Sequence, residues 1–397
     1  MKAIQLVPAM EEGGVESYIT TLNRILVQNG WENVVVSCGG KLVSDIVAHG
    51  GRCVRLDLKS KNPLTALVRA WRLRKLLLAE KPDVVVAHSR VPAWLFLLAR
   101  FLHTFSPFTF TFSPFTFTFP FYPFLTYAHG ANSVSRYSRV MTAGEKVMCP
   151  SGFIKEYLMK AYGTTAEKFR VIPHAVDFER FDPTRLDRDF IAAKRTEWGI
   201  REGEKVVMCV GRITPIKGID NLIRELSAVQ PSTFNLQPLR LIVVGGAEKK
   251  REAYFEELKV FAEIRRQLPT VNHQLPTVFA GPQSKIPECL SIADVVVSAN
   301  VTKPESFGLS MAEALAMGKP VVAKAFGGAL DIVRDGVDGV LCDRGGFAAA
   351  IAKALTLDTE NIRRDAMKRF DFDIMSKNTL SVYKEITENE TGCIDHP

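Results

Sequence analysis

The stretch Lys303–Ala323 reads KPESFGLSMAEALAMGKPVVA. It changes character twice. A polar loop carrying Pro304 and Gly308 opens onto Ser310–Met317, a run of small and apolar residues that suits a helix packed into a core. Gly318 then stops that helix, and Pro320–Ala323 is a short apolar strand bounded by turn signals. Loop, buried helix and buried strand make one step of a parallel α/β sheet.

The same alternation extends in both directions. Towards the N-terminus it predicts strands at Lys205–Gly211, Leu239–Val244, Thr277–Ala280 and Val295–Ser298, with helices at Ile219–Ala228 and Arg251–Arg266. Beyond Ala323 it predicts a helix at Gly346–Leu355. In the first half, strands are expected at Ala3–Val7, Asn33–Cys38, Cys53–Asp57, Asp83–Ala87, Leu125–Ala128, Lys146–Cys149 and Arg170–Ile172. Helices are expected at Val15–Asn29, Leu64–Glu80, Val91–Phe101, Val134–Met141 and Gly152–Tyr162. Asp182–Glu204 is polar, rich in charge and without a strand, and reads as a linker. The expected organisation is α/β with two Rossmann-like domains: residues 1–182, a linker over 183–204, and residues 205–370. A C-terminal helix within 371–397 packs back on the first domain.

A chain of 397 residues is long enough for two such cores. Its 47% hydrophobic and 24% charged residues are those of an ordinary globular protein. The net charge of +8 favours an anionic partner: a nucleotide, a phosphorylated glycolipid or a membrane surface. No dense basic run or nucleic-acid motif is present, which argues against nucleic acid. The seven cysteines stand singly, without a CxxC, and read as core thiols in a reducing cytoplasm. A strand begins almost at once, so no signal peptide is expected, and the apolar run Val91–Leu102, which carries Arg100, reads as a buried helix.

Two segments are tandem duplications. FSPFTFT occurs at Phe105–Thr111 and Phe112–Thr118, inside an insertion over 104–124. QLPTV occurs at Gln267–Val271 and Gln274–Val278. Pro107, Pro114 and Pro120 forbid a central strand in the first. It reads as an expanded loop on the side of the sheet away from the ligand cleft, as an aromatic membrane or partner contact, or as a span.

Ligands of open parallel sheets bind beyond the carboxyl ends of the strands. There the first half places Gly13-Gly14, His88-Ser89-Arg90, His129-Gly130 and Ser151. The second half places Gly211-Arg212, Lys217-Gly218, Gly245-Gly246 and Gly281. Glycine and polar residues thus gather on one edge of both sheets, as a shared cleft requires. Gly13-Gly14 at a helix start admits an anion, and a simple tight turn accounts for it equally well. In GRITPIKG, Arg212 and Lys217 are spaced to neutralise a diphosphate. Glu305 lies beside Ser306-Phe307-Gly308-Leu309, whose amides can meet a phosphate or a sugar. Glu313, inside the following helix among Met311, Ala312, Ala314 and Leu315, can accept two hydroxyl hydrogens, as a ribose diol offers.

Taken together, the motifs resemble those of GT-B fold glycosyltransferases of family 4, the retaining group. The matching segments are GGVESY at Gly13–Tyr18, HG at His129-Gly130, VGRITPIKG at Val210–Gly218, ESFGLSMAEALAMGKPVVA at Glu305–Ala323 and GGALDIVRDGVDGVL at Gly327–Leu341. HSRVPAW and NSVSRYSRVMTAGEKV are similar to bacterial enzymes that build lipopolysaccharide or cell-surface polysaccharide.

The resemblance implies a nucleotide-diphosphate sugar as donor and a lipid-linked or oligosaccharide acceptor, with no metal and no cofactor. It implies that Arg212 and Lys217 hold the diphosphate, Glu313 the ribose and Glu305 the hexose near its 3- and 4-hydroxyls, with His129 against the sugar. Gly14, Gly245 and Ser306 to Leu309 complete the donor side, and Gly13, Ser89, Arg90, His129 and Ser151 form the acceptor side. The pairs Asp187/Asp189 and Asp371/Asp373 lie away from the strand ends and read as solvated charge.

IPHAVD departs from the pattern, with His174-Ala175 where relatives carry Asn-Gly, and CPSGF departs at Gly152. The helix Leu64–Glu80, with Arg69, Trp71, Arg72, Arg74 and Lys75, reads equally as a support for peripheral binding to an anionic membrane on its cytoplasmic face and as a sheet-packing helix with a basic outer face. Two alternatives to the transferase stand: a sugar-nucleotide epimerase or hydrolase on the same fold, and a non-catalytic assembly subunit.

Overall fold

The computed structural model describes residues 1–11, 13–102, 122–228, 238–247, 249–267, 275–300, 302–343 and 345–391. Most of the insertion 104–124, half of the QLPTV repeat and Cys393 lie outside them. The chain is α/β and forms two compact units. One comprises Met1–Ala175 together with the stretch from Phe372 onward; the other is Val176–Asp371.

The first unit holds β1 (Lys2–Leu6), β2 (Glu32–Ser37), β3 (Arg52–Arg55), β4 (Val84–Ala87), β5 (Phe124–Tyr127), β6 (Lys146–Cys149) and β7 (Phe169–Val171). All pairings are parallel, in the order β3-β2-β1-β4-β5-β6-β7. Val34–Val36 and Val84–Val86 are fully buried, because both faces of the sheet are covered at its centre and the runs there need no polar alternation. One face packs on the helices Ala66–Glu80 and Arg90–Phe101 through Leu73, Leu77 and Phe96. The other packs on Gly14–Gln28 and on the C-terminal helix Phe372–Thr391, which contributes Val382, Tyr383 and Ile386 to this core. Tyr383 stands edge-on to Trp31 at 5.4 Å. Glu385 accepts from Nε and a terminal nitrogen of Arg170 and pairs with Lys146 at 2.9 Å, which ties the helix to β6 and β7.

The second unit holds β8 (Lys205–Val210), β9 (Leu239–Val244), β10 (Thr277–Gly281), β11 (Val295–Ser298), β12 (Val321–Lys324) and β13 (Gly339–Cys342), again parallel, in the order β10-β9-β8-β11-β12-β13.

Three expectations need correction here. Residues 183–204 are not a structureless linker. They carry the helix Arg188–Glu197, whose start is capped by Asp187 accepting from the Phe190 amide at 3.0 Å. Its charges face outward, while Phe190 and Ile191 pack on the core and Trp198, just beyond its end, is only 2% exposed. Truncating a tryptophan buried to that degree costs about 3–5 kcal/mol, so this segment is part of the second unit. Asp187 is thus a helix cap, paired also with Lys285. The unit begins at Val176 rather than after residue 182, because Val176, Phe178 and Phe181 join its core. Finally, Val134–Met141 is not a helix. Only the tight turn Ser138–Thr142 forms, held by the Ser135 hydroxyl accepting from the Ser138 amide. β13 is an addition; its four residues after a tight turn give too short a pattern to stand out.

The strand order reverses between β1 and β4 in the first unit and between β8 and β11 in the second. Crevices open at such reversals beyond the carboxyl ends. Among the described residues no helix is long and apolar enough to cross a membrane.

Candidate active site

In the second unit, β8 delivers Gly211-Arg212 and then the turn Pro215–Lys217. The left-handed Gly218 (φ 62°) closes that turn and starts the helix Ile219–Ala228. Beside it β11 ends at Ser298 and continues to Asn300. Gly211, Arg212, Lys217, Ser298, Asn300 and Ser310 line a recess at the reversal point. Gly245 makes the floor possible. Its φ is +142°, and a Cβ there would lie 1.9 Å from the Gly211 carbonyl oxygen, so no other residue fits where β8 and β9 end together.

Arg212 is exposed. The Lys217 ammonium forms a close ion pair with the Glu305 carboxylate, and both side chains are about a quarter exposed. Glu305 is held from below. The Gly328 amide donates to its carbonyl at 2.8 Å, and a Cβ on Gly327 or Gly328 would collide with Pro304 or with the Phe307 backbone. These two glycines, whose role the sequence alone does not indicate, shape the Glu305 loop. The Phe307 ring belongs to the core, edge-on to Phe370, so only its backbone is available to a ligand. Gly308 caps the helix Leu309–Ala316, and Leu309 packs on the core.

Glu313 is half-buried in that helix. Loss of water pushes its carboxyl up to about 7, against the opposing pull of the Arg180 charge. Sequence reasoning misses Arg180 because it assigns residues 176–182 to the other domain. It also misses Asn300, Ser298 and Ser310. Asn300 carries a signal, as the polar residue closing the apolar run of β11. It is 4% exposed and donates to the Lys303 carbonyl, bracing the loop that leads to Glu305.

In the first unit a second recess is lined by Lys59, Lys61, Ser89, Arg90, His129 and Asn132, with Tyr137. Ser89 sits at the start of the helix Arg90–Phe101. Arg90 is oriented by donating to the Ser138 hydroxyl at 3.1 Å and by the Tyr137 ring 5.5 Å away. His129 follows β5 and meets Tyr127 face-on at 4.2 Å and the edge of Tyr18 at 5.1 Å. Its Nε2 is 3.0 Å from His88 Nδ1, and His88 Nε2 is 2.8 Å from Gln5 Oε1. Burial pushes His88 down to about 3 and His174 down to about 4. His129 falls well below its ordinary value, through burial first and then the neighbouring His88 and His174. All three rings are therefore neutral at physiological pH. The sequence shows His88 at the strand end without marking it as a site residue.

Two acceptor-side expectations change. Ser151 is fully buried, and its hydroxyl accepts from the Ile154 amide at 3.2 Å as the cap of the helix Gly152–Tyr162, so it offers nothing to a ligand. At Gly13-Gly14 the Glu16 carboxylate folds back over Gly13, where an anion would sit, while the space above Gly14 is open.

Residues 12–180 match the family described as Glycosyltransferase Family 4, and residues 190–370 that described as Glycosyl transferases group 1. Over 265 residues the chain is 29% identical to a D-inositol 3-phosphate glycosyltransferase of Xylanimonas cellulosilytica, covering 63% of this chain and 59% of that protein. It thus spans about three fifths of the length of that curated relative. A solved glycosyltransferase of Rickettsia africae shares the fold with a TM-score of 0.79 at 23% identity, over 98% of this chain and 99% of that one. Anabaena HepE, solved in complex with UDP and glucose, does so with a TM-score of 0.74 at 21% identity, over 96% and 99%. With each half matched in turn and both sheets in place, the chain belongs to the family 4 type of glycosyltransferases and has their GT-B fold.

Proposed function

We propose that the chain transfers a hexose, with retention, from a nucleotide-diphosphate sugar held by the second unit to a phosphorylated lipid-linked or oligosaccharide acceptor held by the first. The assembly of lipopolysaccharide or cell-surface polysaccharide is the setting. The observation that carries the reading is the pairing of Lys217 with Glu305 beside Arg212 at the reversal point of the second sheet. In the structure Lys217 and Glu305 satisfy one another. A diphosphate arriving between Arg212 and Lys217 takes over the ammonium and frees Glu305 for the sugar hydroxyls, while Glu313 accepts from the ribose. As the donor bond breaks, charge grows on the leaving phosphate. One well-placed donor there is worth about 2.7–4 kcal/mol. The leaving phosphate takes the acceptor proton, and the two cations replace a metal, so a chelator should leave turnover intact.

The acceptor recess presents Lys59, Lys61 and Arg90 and, among the described residues, is lined by no carboxylate, which favours an anionic acceptor. Because the curated relative's name specifies an inositol phosphate, a phosphorylated polyol is the second acceptor to assay.

The test is thermal shift against UDP, GDP, ADP and their hexose conjugates, followed by NMR of the anomeric signal of any product. A shift selective for one nucleotide, lost in Glu313→Ala, with an axial or equatorial signal unchanged from donor to product, supports the reading. Release of free sugar or of an epimerised donor without acceptor would replace it by the hydrolase or epimerase. No shift at all would leave an assembly subunit.

The helix Ala66–Glu80 supports a membrane-facing role on the cytoplasmic side. Leu64, Leu67, Val68 and Trp71 form an exposed apolar row, flanked by exposed Arg72 and Lys75. Arg69 is not on that face. It is 5% exposed and donates to the Ser60 and Asn62 carbonyls. Sedimentation with anionic vesicles, lost in a Leu67→Glu/Trp71→Glu variant, checks this; equal binding to neutral vesicles would refute it.

A further inference from the structure

A line of buried polar side chains crosses the first unit, and each link has only one way round. It begins at the carbonyl oxygens of Ile46 and His49, which can only accept. Asn23, fully buried, must therefore turn its Nδ2 toward them (3.1 and 3.5 Å), leaving its Oδ1 on the other side. That oxygen accepts from Asn33 Nδ2 at 2.8 Å. Asn33 Oδ1 then faces Gln5, whose Nε2 donates to it at 3.3 Å and to the Tyr383 hydroxyl at 3.2 Å. Gln5 is left with Oε1 toward His88 Nε2 at 2.8 Å. An amide oxygen accepts, so His88 carries its hydrogen on Nε2 and, being neutral, has a bare Nδ1. His129 Nε2, 3.0 Å away, must donate to that lone pair. Its own hydrogen is thereby committed, and Nδ1 of His129 is left bare, enclosed and without a hydrogen-bond partner among the described residues.

The reversed chain would aim the Asn23 oxygen at two carbonyl oxygens. A charged His88 would break the direction too, but its ring is 2% exposed and surrounded by Tyr18, Tyr127 and His129, with no carboxylate in hydrogen-bond contact among the described residues. Gly51 shows how closely the first link is fitted: a Cβ there would lie 2.0 Å from Asn23 Oδ1.

We infer that Asn23, Asn33, Gln5 and His88 are positioning residues that lock His129 in the Nε2–H tautomer and keep its Nδ1 as an acceptor for a hydroxyl hydrogen. The tautomer rests on the hydrogen bonds alone. Its use by a hydroxyl of the sugar rests on the proposed function and on the ligand opening the enclosed side of the ring. His129 is then unable to donate to a leaving phosphate, because its one hydrogen is engaged by His88.

The experiment is a long-range proton–nitrogen NMR correlation on the full chain with 15N-labelled histidine, assigned with His88→Gln and His129→Asn. Both rings should show a protonated Nε2 and an unprotonated Nδ1 at pH 7. A proton on His129 Nδ1, or charge on either ring, would overturn the inference from the wild-type spectrum alone. In Asn23→Leu the anchor is gone, both directions of the chain become possible, and the nitrogen shifts of His88 and His129 should move to intermediate values. Gln5→Met should do the same if Asn23→Leu fails to fold. Unmoved shifts in a folded variant would show that the chain does not set the tautomer. If the shifts move but kcat stays while KM for the donor is also unchanged, the tautomer stands and the hydroxyl contact falls. If the wild type transfers no sugar from any donor, the functional reading fails without touching the tautomer.

Discussion

Both sheets carry polar side chains beyond the strands where their order reverses, yet in opposite electrostatic states. Beyond β8, Arg212 is exposed and the Lys217–Glu305 pair is about a quarter exposed. Such a pair adds about 0–1 kcal/mol to folding, because water screens it. Its strength rises only when a ligand excludes that water. Beyond β4 and β5, His88 is buried, His129 is partly exposed at the recess and both rings are uncharged, with Lys59, Lys61 and Arg90 lining the same recess; the histidine hydrogen bonds are in place whether or not a ligand is present. The reversal of strand order locates a site in both units, but burial decides its chemistry. The end with Arg212 and Lys217 suits a charged diphosphate; in the other, the neutral His129 ring suits a hydroxyl, while Lys59, Lys61 and Arg90 suit an anion.

The largest expected effect breaks the first of these two ends. Lys217→Ala and Arg212→Ala should each lower kcat by about 10²–10³ while moving the unfolding free energy by no more than about 1 kcal/mol. Steady-state kinetics beside thermal melts check this. A collapse of the melt with turnover preserved would make these cations structural and erase the contrast between the two ends.

Glu313 sharpens the contrast, since it is a charge-bearing group of the second unit that is half-buried. Its carboxyl titrates near 7 in the folded chain against 4.5 for the free side chain. The folded state therefore holds a proton that the unfolded state has released, and stability should fall as pH rises from about 4.5 to 7 and level off above. The size is on the order of 3 kcal/mol at most, less in so far as the side chain is partly open. Glu313→Gln should abolish that slope in chemical denaturation measured across the window and stabilise the protein above pH 7. In the wild type, nucleotide binding to the carboxylate should release a proton, seen as weaker affinity below pH 7 beyond any loss that Glu313→Gln also shows.

Much of the proposed donor site is legible because its residues follow strands, and a polar or glycine residue that closes an apolar run stands out against it. Arg212, Lys217 and Gly245 are found this way, and Glu305 by its place in the loop that opens the helix Leu309–Ala316. The buried line in the first unit is only half legible. Gln5 and Asn33 interrupt strands that are otherwise apolar, a visible anomaly, but their partners are chosen by the fold. Gln5 meets Tyr383 across 378 residues of sequence, and no local spacing announces that. The segment 183–204 misleads for a different reason. Its charges outnumber its apolar residues, and a helix that buries only one narrow stripe, Phe190 and Ile191, and then Trp198 looks like solvent-exposed chain until the surface it covers is known.

Ser151 shows the limit of strand-end reasoning in a single residue. It follows β6 as His129 follows β5, so position alone gives both the same role. Burial separates them, since Ser151 is fully enclosed with its hydroxyl engaged by the Ile154 amide, whereas His129 lines the recess of the first unit. Ser151→Ala should therefore cost about 1 kcal/mol, the ordinary loss of a helix cap, read as a small drop in the denaturation midpoint. Turnover per folded molecule and KM for the acceptor should not change. Ser151→Asp, which can cap in the same way but brings a charge into a sealed position, should lose more stability than Ser151→Ala. A rise in acceptor KM in the alanine variant without loss of stability would return Ser151 to the acceptor side, and would mean that the enclosure seen here opens when the acceptor binds.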